Sequence, residues 1–180
     1  AGTEPIAAQY PDTTFVIFND TPNVDEAGET IHDNVISVLY NVNESSFLAG
    51  ALSVLVNENQ DVLLGDGYAL TSPEEARALG FIGATESNGI TVFGVGFVEG
   101  AQYVAKELGV TYDYYAKYDA GFADTAAGST VAGTYYDNGA NVVYTVAGAV
   151  GDGVAAKAKE VGKIAVHVDA NKDAQQPGYI

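Results

Sequence analysis

Residues 141–169 read NVVYTVAGAVGDGVAAKAKEVGKIAVHVD, and the fold follows from how that stretch is parsed. Asn141 to Val146 is a β-branched and aromatic run, which marks a buried strand. A glycine-containing turn follows, then an alanine-rich segment of helical character from about Gly151 to Val161, and a second strand-like run from Lys163 to Asp169. Strand, helix and strand in such short compass is a parallel crossover. Upstream the same alternation repeats: strand Gly80 to Ala84, helix about Ile90 to Leu108, strand Val110 to Tyr118, helix about Asp124 to Asp137. The implied class is α/β, with parallel strands and helices on both faces.

The amino-terminal part is less regular. Glu4 to Tyr10 reads as part of a helix running into Pro11, and Thr14 to Phe18 as a short strand closed by Asn19, Asp20 and Pro22. A polar loop over 21–34, bearing Asp25, Glu26, Glu29 and Asp33, leads to a strand from Val35 to Tyr40. Ser45 or Ser46 is expected to cap a helix carrying Phe47, Leu48, Ala51, Leu52 and Leu55 up to Asn57. Ser72-Pro73-Glu74-Glu75 supplies an N-cap, a first-turn proline and a capping-box acid, which predicts a short helix through Leu79 inside a linker over 58–79.

Composition narrows the partners. With 180 residues, 24 acids against 7 Lys and Arg and a formal net charge of −17, the chain would repel a phosphate backbone or an anionic membrane. Residues 1–76 hold 13 acids and no Lys or Arg; the first base is Arg77. There is no Cys, which removes disulfides, thiolate catalysis and Cys-based zinc sites. No apolar run approaches a membrane span, and no charged leader with an apolar core stands at the amino end. The opening on what reads as mid-helix leads us to expect a fragment of something longer.

In parallel sheets ligands bind beyond the carboxyl ends of the strands, so strand-end residues are the candidates. Asp169 closes its strand and offers two acceptor oxygens suited to vicinal hydroxyls, or else it caps the next turn through Asn171. Asp20 has the same two readings. Tyr144 and Phe122 are positioned to stack a planar base, or to pack in the core like most of the 12 Tyr and 7 Phe. Gly148, in Gly148-Ala149-Val150-Gly151-Asp152-Gly153, allows close backbone approach by a neutral ligand, or makes a plain tight turn. That run lacks the Lys-Ser/Thr of a P-loop, and Asp152 would repel phosphate. Gly94, Gly96 and Gly100 lie inside a helix and signify close packing. His32 and His167 form no triad or HExxH arrangement, and the 20–33 loop lacks calcium-loop spacing, so neither catalytic nor metal-binding residues are expected.

Several stretches resemble the basic membrane protein (BMP) family. They are Ala8 to Ile17, Ser46-Phe47-Leu48-Ala49-Gly50, Tyr136 to Tyr144, Val146-Ala147-Gly148 and Gly162 to Asp169, in order along nearly the whole chain. The family comprises substrate-binding lipoproteins of ABC transporters whose characterised members take up purine and other nucleosides. The resemblance implies a type I periplasmic-binding-protein fold of two lobes, with a nucleoside in the cleft and no chemistry performed on it. It divides the chain into the later part of an incomplete first lobe (1–57), a linker (58–79), lobe two (80–168) and the start of the return crossing (169–180).

The resemblance also implies roles: Asp169 for the ribose hydroxyls, Tyr144 for the base, Gly148 against the ligand, and Asp20 as the acid of lobe one; Phe122 is a ligand-binding candidate from its position in a strand-to-helix loop. The implied partners are nucleoside and ABC permease subunits, without cofactor, metal or nucleic acid. The implied location is extracytoplasmic, with membrane attachment only through a lipid anchor outside this stretch; separately, cleft faces left exposed in a fragment are a candidate surface for self-association. A ligand-sensing regulatory protein and a sugar-binding protein of the same fold are the rival readings; a nucleoside hydrolase would need a carboxylate cluster at the strand ends. The sequence departs from the family pattern at Ala149, at Asn171-Lys172 after the ribose Asp, and in the length of 57–80.

Overall fold

The computed structural model describes residues 4–21 and 23–179, which form two compact units, Ala1–Asn41 and Val42–Ile180. The first unit contains α1 (Glu4–Gln9), β1 (Phe15–Phe18) and β2 (Val35–Val38). The two strands pair in parallel, Phe15 opposite Val35 and Phe18 opposite Val38. No helix among the described residues bridges them. Instead the buried Asn23 side chain donates to the carbonyls of His32 (2.7 Å) and Val35 (3.2 Å) and accepts from the His32 amide (2.8 Å). Asp25 folds the tip of this acidic loop by accepting from the Ala27 and Glu29 amides, both at 2.9 Å. Asn34 donates to the carbonyls of Ala7, Tyr10 and Thr13, tying α1 to the start of β2.

The second unit holds α2 (Val42–Glu58), α3 (Gln60–Leu63), β3 (Ala78–Gly83), α4 (Asn88–Leu108), β4 (Asp113–Lys117), α5 (Thr125–Asp137), β5 (Ala140–Val146), α6 (Val150–Val161) and β6 (Ile164–Val166). Its sheet runs β4-β3-β5-β6, all parallel, as the alternating sequence requires. Successive side chains point to opposite faces. Leu79, Phe81, Val142, Tyr144 and Val146 therefore pack with Val54 of α2 and Phe97, Ala101 and Ala105 of α4. Ile82, Val143 and Ala165 pack with α5 and α6 through Ala132, Tyr136, Val150, Val154 and Ala158. Helices α4 and α6 end on Gly109 and Gly162, each in the left-handed conformation with φ near 70°, and the Asp124 carboxylate caps α5 through the Ala127 amide.

Helix α2 packs within the second unit, which opens at Val42. The cause is contact between backbones: Gly50 lies against Phe97, and Gly96 and Gly100 lie against Asn43 and Phe47, with no room for a Cβ at any of the three. Two local expectations change. Helix α2 begins at Val42 rather than at a serine cap, because Ser46 is buried and its hydroxyl bonds Tyr144 Oη at 3.1 Å. Finally, 72–79 is not a helix. The Ser72 carbonyl accepts from Glu75 and Ala76 in a single turn, and Ala78 already opens β3.

The segment between α3 and β3 is held by a polar network at the amino ends of the strands. Asn141 bonds the Thr71 backbone in both directions (2.8 and 2.7 Å) and receives the buried Lys163 ammonium at 2.7 Å, which also reaches Thr71 Oγ1 at 2.9 Å. Asn57 donates to Tyr112 Oη, which donates to Glu58, and Arg77 clasps Glu58 with two nitrogens at 2.8 and 3.1 Å. Burial lowers the Lys163 pKa.

Candidate functional site

The opposite edge of the same sheet is where the strands deliver loops. From β3 the chain steps to β4 on one side, whereas β5 lies on the other, so the order reverses between β3 and β5. In open parallel sheets that reversal opens a crevice for a ligand. The β4–α5 loop is stitched across it: the Ala120 amide donates to Gly83 O (3.2 Å), Gly121 to Ala84 O (2.9 Å), and Ala149 back to Phe122 O (2.9 Å).

This stitching brings Phe122 and Gly148 together. The Phe122 side chain is 58% exposed although large and apolar, and it sits beside the positive-φ turn at Gly148 (φ 55°). A Cβ on Gly148 would lie 2.9 Å from the Phe122 carbonyl oxygen, so glycine is required both by backbone conformation and by space. Here a flat π surface is available to a ligand, next to backbone bare of side chain.

Asp169 emerges at the same sheet edge, beyond β6, with an exposed carboxylate. It occupies φ 71°, and the Ala170 amide donates to the Val168 carbonyl across it at 2.9 Å, which makes a γ-turn. Asp169 does not cap the next turn; Asn171 does, accepting from the Asp173 amide at 2.9 Å. The Asp169 carboxylate is thereby left for other partners.

Tyr144 is placed differently from expectation. Its side chain is 4% exposed, inside the α2–α4 core, with ring centroids 5.2 Å from Phe97 and 5.7 Å from Phe81. The strand's alternation sends it into that face, so it presents no surface on which a base could stack. Burial raises its phenol pKa; the Ser46 hydroxyl opposes the shift and the Asp169 charge adds to it. Asp20 stands at the carboxyl end of β1 in the first unit, exposed, its Oδ1 accepting from the Thr21 amide at 2.8 Å.

The structure adds side chains that the sequence did not single out, two of them within the strand-end loop Gly83 to Gly89. Thr85 and Ser87, on the loop into α4, expose hydroxyls 3.0 Å apart at the crevice. Lys172 reaches Asp152 at 2.6 Å, joining the segment after Asp169 to the first turn of α6. A separate groove of about 550 Å³ between α2 and α4 is lined mainly by Phe47, Leu48, Val92 and Val95. Among the described residues no group of three His, Asp or Glu is arranged to hold a metal ion. The sheet edge thus offers one aromatic face, hydroxyls, a bare glycine and a carboxylate, a set that fits a planar, uncharged, hydroxyl-bearing molecule.

Comparison with known proteins bears on that chemistry. Residues 2–180 match the family model described as ABC transporter substrate-binding protein PnrA-like. The chain is 35% identical over 126 residues to the ABC transporter nucleoside-binding protein BmpA of Lactococcus lactis subsp. cremoris, covering 70% of this chain and 30% of that one. It is 28% identical over 143 residues to basic membrane protein B of Borreliella burgdorferi, covering 79% of this chain and 36% of the other. A crystal structure of an ABC transporter solute-binding protein from Aeropyrum pernix superposes with a TM-score of 0.81 at 24% identity, over 98% of this chain and 45% of that one, and shows the fold. The chain spans about a third of the length of these two sequence relatives.

Proposed function

Because the chain belongs to the PnrA-like family of ABC transporter substrate-binding proteins, we propose that it carries part of the ligand site of a nucleoside receptor. The observation that carries the reading is the exposed Phe122 ring held beside Gly148 at the β3/β5 reversal, at the sheet edge that also carries Asp169. In this reading the base stacks on Phe122, its edge slides over Gly148, and Asp169 accepts hydrogen bonds from the ribose hydroxyls. Base–aromatic stacking contributes about 1–3 kcal/mol, and a hydrogen bond to a charged group about 1.5–3 kcal/mol. Both contributions belong to a site that binds and releases its ligand without turnover. The Lactococcus relative's nucleoside-binding name supports the ligand class.

The rest of the reading is supported by the family. The two units are parts of two lobes, residues 169–180 begin a return crossing, and the liganded form is presented to permease subunits outside the cytoplasm. Asp20 is proposed as a ligand contact from its position after β1 alone. Among the described residues no helix is long and apolar enough to cross a membrane.

Equilibrium dialysis tests the proposal. Radiolabelled inosine, presented to the complete polypeptide that carries this sequence, should be retained and displaced by unlabelled nucleosides but not by free ribose. Displacement by ribose as effective as by nucleosides would replace the reading with a sugar-binding one.

A further inference from the structure

The departure at Asn171-Lys172 has a structural consequence. Asp169 sits at the centre of a γ-turn with φ 71°, a conformation that costs a non-glycine residue free energy and that the surroundings must hold. On its amino-terminal flank, the His167 ring packs against Gly151, so closely that a Cβ there would lie 2.7 Å from Cε1. On its carboxyl-terminal flank, Lys172 Nζ lies 2.6 Å from Asp152 Oδ1. The anchors on the two sides of the turn are therefore consecutive residues, Gly151 and Asp152, of the first turn of α6.

That first turn follows directly from the Gly148 loop, which the Ala149–Phe122 hydrogen bond fixes to the aromatic platform. A carboxylate gripped on both sides by α6 is thereby held in register with Gly148 and Phe122. Val168 adds a third contact by packing into the α2–α4 core. The chain is next anchored at Gly178 and Tyr179, whose carbonyls accept from Tyr68 Oη and the Ala165 amide. Between the turn and that anchor, without the Lys172–Asp152 tether, the segment would keep only short local bonds such as Asp173 to Asn171 and Gln175 to the Lys172 carbonyl.

We propose that Lys172 and Asp152 are positioning residues of the ligand site: their ion pair, with the His167–Gly151 contact, forms a two-sided clamp that sets the Asp169 carboxylate against the Phe122–Gly148 platform. The proposal rests on the nucleoside reading for what the carboxylate meets. The clamp itself rests on geometry alone. Lys172 does not touch the ligand in this account; it acts through Asp169.

A double-mutant cycle in the complete polypeptide, with inosine as the probe, separates this role from general support. Lys172→Met and Asp152→Asn should each weaken binding about tenfold, the effect of loosening a preorganised group. The exchanged pair, Asp152→Lys with Lys172→Asp, should recover affinity to within about threefold of the parent. In an Asp169→Ala background Lys172→Met should cost less than about twofold, because the group it positions is gone. Equal losses in both backgrounds, or none in either, would overturn the positioning role. Hydrogen–deuterium exchange then tests the clamp without any ligand: residues 167–176 should exchange at least about threefold faster in Lys172→Met while 140–146 stay unchanged. Unaltered exchange would overturn the clamp. Failure of the parent to bind any nucleoside would count against the nucleoside reading, leaving exchange to decide the clamp.

Discussion

The carbonyl oxygen of Phe122 accepts a hydrogen bond from Ala149 at 2.9 Å and lies equally far from where a Cβ on Gly148 would stand. One backbone oxygen thus both locks the two loops together and excludes every side chain but hydrogen. Gly148→Ala meets positive φ and this oxygen at once. It should cost about 1 kcal/mol or more of stability, read as a lower midpoint in urea, and should weaken nucleoside binding by about tenfold. Unchanged stability would show that the loop tolerates the shift.

Tyr144 and Phe122 should separate cleanly. Tyr144→Phe removes a buried hydroxyl and leaves the Ser46 hydroxyl without its partner, so unfolding should become easier by about 1 kcal/mol while nucleoside affinity stays within about twofold. Phe122→Ala removes an exposed ring: stability should hold within about 0.5 kcal/mol and affinity should fall at least about tenfold. The opposite pattern would return the stacking role to Tyr144.

The α2–α4 contact is a test of packing alone. Gly100→Ala would drive a methyl into the Phe47 backbone, and about 1–3 kcal/mol of destabilisation is expected from such overpacking. Gly133→Ala, in the interior of α5, meets only the Lys157 stem at 3.7 Å and should stabilise by about 0.5–1 kcal/mol through helix propensity. Thermal melts of the two variants should therefore move in opposite directions.

Acid should act on Glu58. Hydrogen bonding to Arg77 chiefly, and to Tyr112, holds its carboxyl below the usual 4.5 against the opposing effect of burial. The folded state then binds a proton less readily than the unfolded chain. The resulting stabilisation is complete above the ordinary carboxylate range and fades as pH falls through the lowered folded value. Glu58→Gln should be less stable than the parent at pH 7, and the gap should narrow below about pH 4. A gap constant from pH 7 to pH 3 would remove Glu58 from the acid response.

The alternation of apolar runs made the parallel sheet and its order of elements legible, because a strand buried on both faces reads as a continuous β-branched run whatever its neighbours are. That same property hid the role of Tyr144. When both faces are apolar, the sequence does not distinguish a strand residue facing a helix from one near a crevice. The exposure of Phe122 was readable because it follows a strand rather than lying in one. Ser46 looked like a helix cap since serine favours caps, but contact with Tyr144, 98 residues away, overrode the local preference. The turn at Ser72 satisfied every local cap rule, yet pairing of Ala78 with Asp113 and Ala140 claimed the residues a helix would have needed. The Lys172–Asp152 pair joins two elements 20 residues apart, and nothing in either segment's local pattern announces the other.

Calorimetric titration of adenosine, guanosine, inosine, cytidine and uridine into the complete polypeptide carrying this sequence is the most direct test of the central claim. The account predicts saturable binding of at least one nucleoside, weakened at least about tenfold by Asp169→Ala in a variant that keeps its circular dichroism. A folded protein that takes up none of the five, or one whose affinity is indifferent to both Asp169→Ala and Phe122→Ala, would contradict it.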